Sequence, residues 1–136
     1  MSEKRRCVAY NGRIEVRTIL TPHPTSVGAA RRFVRDVLKT RRVDDGVVST
    51  VELLTSEVVT NAIVHARSGP QLAVELCDGC VRVAVRDLSP ELPVRLLTHL
   101  DDTSGRGVVI VEELASAWGV DRERSGAKRV WFEVAC

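Results

Sequence analysis

The chain has 136 residues, 44% of them hydrophobic, and a formal net charge of +2. This length supports one hydrophobic core, and the hydrophobic fraction predicts a folded domain rather than a disordered chain. No apolar run approaches the roughly 20 residues that span a bilayer, and no apolar segment follows the charged N-terminus as in a secretory signal. We therefore expect a cytoplasmic protein with no membrane partner. Its single domain is expected at residues 13–136, after an N-terminal extension at residues 1–12.

The small net charge conceals an uneven distribution. Residues 1–42 contain 11 Lys or Arg and 3 Asp or Glu, whereas residues 43–136 contain 9 and 15. A basic segment can indicate a nucleic-acid or acidic-protein partner, but a solvated helix face explains it more simply. Because only 4% of residues are aromatic, the chain has no row of stacking side chains, and we expect no direct nucleic-acid partner.

A strand and two helices are predicted first. Residues 13–20 alternate between apolar and polar side chains, which predicts a half-buried strand. A cap at residues 25–26 begins a helix that extends to about Thr40, with one apolar stripe and its arginines largely outside that stripe. A second helix, at about residues 47–66, is apolar on more than one face, so we expect it to be central.

The second half of the chain is predicted to contain four strands and a third helix. In chain order these elements are strands at 71–77 and 81–86, an irregular segment at 87–105 with a short helix near 94–100, a helix at about 108–117, and strands at 118–122 and 128–134. Strands that do not alternate strictly with helices favour an α+β fold. We expect a two-layer sandwich with the helices on one face of a mostly antiparallel, mixed sheet.

The segment Cys77-Asp78-Gly79-Cys80 is a CxxC motif with three open interpretations. A zinc site would need two more ligands, and the sequence has no second CxxC or CxxH. A regulatory disulfide is the second interpretation, although such bonds are rare in the cytosol. The favoured interpretation is a hairpin, because Asp-Gly between two alternating apolar runs is a strong signal for a two-residue turn.

Three polar residues, Glu57, Asn61 and His65, recur every four residues along the apolar second helix. Residues at this spacing lie about 6 Å apart on one helix face. Burying an unpaired amide or carboxylate costs on the order of several kcal/mol, so these groups need partners. They can face solvent, bind nearby backbone ends, or line a pocket for a cation or phosphates.

Two later features favour the pocket. Gly105-Arg106-Gly107 immediately precedes the predicted third helix, where backbone N–H groups and the helix dipole can meet an anion. Asp87 ends a predicted strand and is followed by a loop with two prolines. Taken alone, a Gly-x-Gly segment also serves as a helix entry, and an Asp after a strand is usually a turn residue.

Four segments are informative as a set: Glu57-Val-Val-Thr-Asn61-Ala62-Ile-Val-His65-Ala66, Val85-Arg86-Asp87, Gly105-Arg106-Gly107 and Val130-Trp131-Phe132-Glu133-Val134. Together they resemble the GHKL ATP-binding superfamily, which includes gyrase, histidine kinases and the anti-sigma-factor serine kinases. The resemblance covers roughly residues 14–135 and is greatest for the small, stand-alone anti-sigma regulatory kinases of bacteria.

The resemblance implies a role for each principal site residue. Asn61 would coordinate Mg²⁺ that bridges the nucleotide phosphates. Glu57 would act as the general base, taking the proton from a serine hydroxyl that attacks the γ-phosphate. Asp87 would accept a hydrogen bond from the adenine amino group. The other residues expected at the nucleotide or in support of it are Ser89, Gly105, Arg106, Gly107, Val108, Ala62, His65 and Arg129.

Two of these positions depart from the family pattern, both on the adenine side. The family usually has Gly where this chain has Ser89, and Thr where it has Arg129. Nucleotide binding could therefore be weaker, altered or absent while the fold is retained. The alternative function is then a protein-interaction module with little or no catalysis.

The function implied by the resemblance is that of a serine/threonine protein kinase of the anti-sigma type, a transferase with ATP and Mg²⁺ as cofactors. Such a protein sequesters a sigma factor or similar regulator. It also phosphorylates a serine on an anti-anti-sigma partner of the STAS type, which controls release and hence transcription. A homodimer is expected by analogy with the family only.

Overall fold

Helices cover one face of a six-stranded sheet in the computed structural model, which describes residues 6–10, 13–65, 69–77, 79–88 and 114–136. Side chains are described from residue 13 onward, with gaps that include residues 65 and 77. The elements are β1 (Arg6–Tyr10), β2 (Arg13–Ile19), α1 (Ser26–Thr40), α2 (Asp45–His65), β3 (Gln71–Cys77), β4 (Cys80–Asp87), β5 (Ala117–Arg122) and β6 (Lys128–Ala135).

The strand order is β1-β2-β3-β4-β6-β5. Each described pair of neighbours is antiparallel. The predicted α+β sandwich, with helices on one face of the sheet, is therefore confirmed. The sheet has two distinct faces because side chains alternate along each strand. On β4, Val81, Val83 and Val85 are buried toward the helices, whereas the residues between them are half-buried on the opposite face.

Helix α2 is central, as its wide apolar surface predicted. Val51, Leu54 and Val59 are fully buried, and they belong to the same cluster as the inward side chains of the sheet. By length and composition alone, Asp45–Val64 is long and apolar enough to cross a membrane. The expectation that no apolar run reaches this length was therefore wrong. The packing of α2 accounts for its composition, because a core helix meets the same criteria.

The hairpin interpretation of the CxxC segment is confirmed. Strands β3 and β4 pair with Cys77 opposite Cys80, and Gly79 adopts a φ of 86°, which glycine tolerates without steric cost. Asp78 lies outside the described residues. No group of three metal-binding side chains occurs in the described part of the chain.

Two elements differ from expectation. Residues 6–10, assigned to the N-terminal extension, form β1 and pair with β2. The strand was not predicted because five residues beside a basic run show too little alternation of apolar and polar side chains. The third helix was predicted to end near Ala117, but β5 begins at that residue. Within the described part of the predicted helix, Leu114 is the residue with a helical backbone. The predicted short helix near residues 94–100 and the start of the third helix lie outside the described residues.

Candidate nucleotide site

The polar edge of α2 is built from Glu57 and Asn61, both half-buried, with Ala62 buried beside them. The Asn61 Nδ2 donates to the backbone carbonyl of Glu57 at 3.0 Å. This bond fixes the amide on its own helix and leaves Oδ1, a hard oxygen ligand, without a partner among the described residues. Within the same part of the chain, the Glu57 carboxylate forms no ion pair or hydrogen bond. Neither oxygen-bearing group therefore has a partner among the residues that the structure describes.

The Asp87 carboxylate lies at the end of β4 on the helix-facing side of the sheet. It follows Val81, Val83 and Val85 in the alternation of that strand, and it is only 2% exposed. A carboxylate so deeply buried requires compensation, because ionised groups are expensive to remove from water. The sequence had suggested a turn residue or an adenine acceptor here, and the burial rules out an ordinary solvated turn.

The compensating charge is Lys128, which the sequence analysis missed. Lys128 is the register partner of Asp87 across β4 and β6, and its Nζ lies 3.9 Å from the Asp87 Oδ1. Its side chain is 3% exposed and that of Asp87 is 1% exposed. The available signal was the period of two in β6, where Lys128, Val130 and Phe132 share the buried face.

Arg129, expected to support the adenine side, points instead to the outer face of the sheet. It is exposed, and its Nη2 donates to the Asp121 Oδ2 on β5 at 3.2 Å. The structure therefore does not bring Arg129 to Asp87, because adjacent strand residues point to opposite faces. The remaining expected residues, Ser89, Gly105, Arg106, Gly107 and Val108, lie outside the described residues, as does the side chain of His65.

A cavity of about 450 Å³ lies on the outer face of the sheet, away from Glu57, Asn61 and Asp87. Ala73 and Ala84 contribute to its lining between charged side chains of β2, β3, β4 and β6. These two small side chains are register partners on adjacent strands. The cavity is thus separate from the site predicted on α2.

Ion pairs line this outer face. Arg86 forms two hydrogen bonds to the Glu123 carboxylate, at 2.6 and 3.1 Å. These bonds lower the pKa of Glu123 and raise the pKa of Arg86. A hydrogen bond to Glu15 likewise raises the pKa of Arg17. The Arg17 and Arg86 side chains are therefore paired with acidic side chains on this face.

Comparison with known proteins identifies the fold. A family model described as "Histidine kinase-like ATPase domain" matches residues 20–133. The chain belongs to this family. No curated protein matches the sequence. Among solved structures, a chain of the SiaB–SiaC complex from Pseudomonas aeruginosa is similar, with a TM-score of 0.60 and 11% identity over 88% of this chain and 89% of that chain. At this identity the likeness shows a shared fold.

Membership in the histidine kinase-like ATPase domain family implies an ATP-binding site, and the described side chains fit that ligand. The Asn61 Oδ1 is a suitable oxygen ligand for Mg²⁺, which prefers hard donors. Asp87 and Glu57 add two carboxylates, one buried at the end of β4 and one on the edge of α2. The described elements of this histidine kinase-like domain therefore carry an amide oxygen and two carboxylates.

Proposed function

We propose that the chain is a small regulatory serine/threonine protein kinase of the anti-sigma type that binds ATP and Mg²⁺. The observation that supports this best is the hydrogen bonding of Asn61, whose amide nitrogen is fixed on α2 while its oxygen has no partner in the described part of the chain. In this proposal Asn61 holds the metal at the phosphates and Asp87 accepts the adenine amino group. The segment that contains Ser89, Gly105, Arg106, Gly107 and Val108 completes the nucleotide site.

Glu57 serves as the general base in this proposal. Its carboxylate takes the proton from the attacking serine hydroxyl, and its position one turn before Asn61 places both groups on one helix edge. An uncommitted carboxylate suits this role, since a carboxylate held by an arginine would be a weaker base. Glu52, on the same helix, shows the contrast because it accepts two hydrogen bonds from Arg35.

The test compares Glu57→Gln with the matched control Glu52→Gln. Phosphotransfer to a serine of a STAS-type protein, followed by mass spectrometry, should fall by about 10²- to 10⁴-fold in Glu57→Gln, the usual contribution of a general base. The control should transfer phosphate at the wild-type rate, because its carboxylate belongs to an ion pair with Arg35. Retained transfer in Glu57→Gln would remove the base assignment.

The proposed partners are a sigma factor or similar regulator, which the domain sequesters, and the STAS-type substrate, which controls its release. The structural neighbour also comes from a two-protein complex, which is consistent with a fold used for protein binding. We place the protein in the cytoplasm, where such partners occur, and we expect a homodimer. Co-purification of the sigma factor with the chain, and its release after addition of the STAS-type protein, test the partner proposal.

A second candidate function is a protein-interaction module with little catalysis. The exposed Arg129, paired with Asp121 on the outer face, favours it because this position cannot give Asp87 the support that a Thr gives in the family. Calorimetric titration with Mg·ATP separates the two functions. Micromolar binding supports the kinase, whereas no detectable heat at millimolar nucleotide supports the interaction module.

A further inference from the structure

Three of the four cysteines in the sequence meet at one end of the sheet. Cys77 on β3 is the register partner of Cys80 on β4, across the hairpin turn. Cys136 follows β6, and its backbone N–H donates to the carbonyl of Gly79 in that turn at 3.0 Å. These cysteines are remote from the candidate nucleotide site, because Cys80 and Asp87 stand at opposite ends of the eight residues of β4.

The backbone register brings Cys77 and Cys80 within the span of a disulfide bond. Opposed residues of an antiparallel pair have Cα atoms about 4.5 or 5.5 Å apart, depending on their hydrogen bonding. Both spacings fall within the roughly 4.4–6.8 Å that disulfides span. The two positions also share one face of the sheet, as opposed residues of paired strands do. A disulfide between them therefore needs no change in strand pairing.

The register favours this pair over a bond to Cys136. On β6 the residue opposite Cys80 is Ala135, and Cys136 is one position farther along, beside Gly79. Successive residues of a strand lie on opposite faces, so Cys136 is out of step with Cys80. Cys136 is therefore a neighbouring thiol that serves as an internal control for the pair.

The pair lies on the face of the sheet that a small reagent can approach. Cys80 is half-buried and alternates with the buried Val81, so it shares the outer face with Arg82 and Ala84. The helices cover the other face, to which Val81 and Val83 belong. A thiol reagent can thus approach this end of the hairpin without opening the core.

The short loop between the two cysteines favours a bond that is easily reduced. A disulfide that closes a loop of a few residues constrains the unfolded chain less than one that closes a long loop, so it adds less stability. Disulfides on exposed surfaces are typically the labile and regulatory ones, and cytosolic disulfides are mostly of this transient kind.

We propose that Cys77 and Cys80 are a redox-active pair that forms a reversible disulfide by exchange with a small disulfide of the glutathione type. One thiolate attacks a sulfur of glutathione disulfide, so the S–S bond of the reagent breaks, a mixed disulfide forms and one glutathione leaves. The second cysteine attacks the cysteine sulfur of the mixed disulfide and releases the second glutathione. Together the two thiols lose two electrons and two protons, and both are taken up by the two glutathione thiols.

The experiment incubates the full chain with fixed mixtures of reduced glutathione and glutathione disulfide, then alkylates the remaining thiols and digests with trypsin. Residues 68–82 form one tryptic peptide, whose cysteines are Cys77 and Cys80 alone. The disulfide appears as this peptide without alkyl groups and two hydrogens lighter. Excess reduced glutathione should restore the dithiol.

The folded chain should give a ratio of disulfide to dithiol at least about tenfold higher than the chain unfolded in urea with the same mixture, because strand pairing holds the two thiols together. Cys136→Ser is the matched control and should form the disulfide to the same extent as wild type. This comparison uses wild type as its main readout and does not depend on nucleotide binding.

An equal or lower ratio in the folded chain would overturn the inference. A bond from either cysteine to Cys136, or loss of the disulfide in Cys136→Ser, would show that the register pair is not the reacting pair. Separate glutathione adducts on Cys77 and Cys80, or a disulfide that excess reduced glutathione leaves intact, would contradict the proposed reversible exchange.

Discussion

Replacement of Gly119 by Ala tests the packing of β5 on β6. Gly119 is the register partner of Trp131, and a Cβ atom at Gly119 would lie 2.8 Å from the Trp131 Cζ2 and 3.0 Å from its Nε1. Real Cβ atoms essentially never approach so closely, so the indole ring must move. The Arg82 guanidinium lies 4.2 Å from the centroid of that ring and would be displaced with it.

Two opposing effects set the magnitude. Overpacking of this kind costs about 1–3 kcal/mol. Replacing a strand glycine with alanine stabilises the fold by roughly 0.5–1 kcal/mol, because alanine loses less backbone entropy on folding. We therefore expect Gly119→Ala to lower the free energy of unfolding by about 1–2 kcal/mol, since the steric cost is the larger effect.

The assay is equilibrium unfolding in urea, followed by far-UV circular dichroism so that changes in Trp131 fluorescence do not interfere. The midpoint should fall by about 0.5–1 M for a typical dependence of stability on urea. Gly28→Ala in α1 is the control, because its Cβ would meet only Arg32 Nη1 at 3.4 Å. That variant should be more stable than wild type. Unchanged or increased stability of Gly119→Ala would contradict the packing argument.

Three further predictions concern single sites. Arg42 has a φ of 60° after α1, where glycine is preferred, so Arg42→Gly should raise the free energy of unfolding by about 1 kcal/mol; a lower midpoint in urea would contradict this. The Thr55 hydroxyl is buried without a partner among the described residues, so Thr55→Val should stabilise by about 1 kcal/mol, measured by calorimetric melting. In Arg86→Ala, the pKa of Glu123 should rise toward its ordinary value, as an NMR titration would show, because the lowering bond is lost. The associated stability is present above the unfolded pKa of Glu123 and is lost as pH falls through its lower folded pKa.

The strongly periodic parts of the fold were predictable from the sequence. The bounds of α1 and α2 were expected to within about two residues, because their apolar stripes repeat over several turns. The hairpin was equally predictable from its Asp-Gly turn. The first strand was missed because pairing with β2, rather than its own pattern, makes residues 6–10 a strand.

The placement of the candidate residues was predictable where they share one element. Helical spacing puts Glu57 and Asn61 on one edge of α2, where both are half-buried, and their roles stay predictions that the family resemblance supplied. Lys128 was missed because lysine is normally a surface residue, and its partner Asp87 is brought to it only by the pairing of β4 with β6. Sequence reasoning of this kind finds local spacing and misses contacts that depend on strand register.

The account depends most on Asn61 as the metal ligand of a nucleotide site. The direct measurement is titration of ATP with and without Mg²⁺ into wild type, Asn61→Ala and Thr60→Ala. Thr60 is a matched control because its hydroxyl donates to the Ser56 carbonyl, as the Asn61 amide donates to that of Glu57. Wild type and the control should bind ATP at least about tenfold more tightly with Mg²⁺, and Asn61→Ala should lose that enhancement. An enhancement that survives in Asn61→Ala, or wild type that does not bind ATP, would contradict the account.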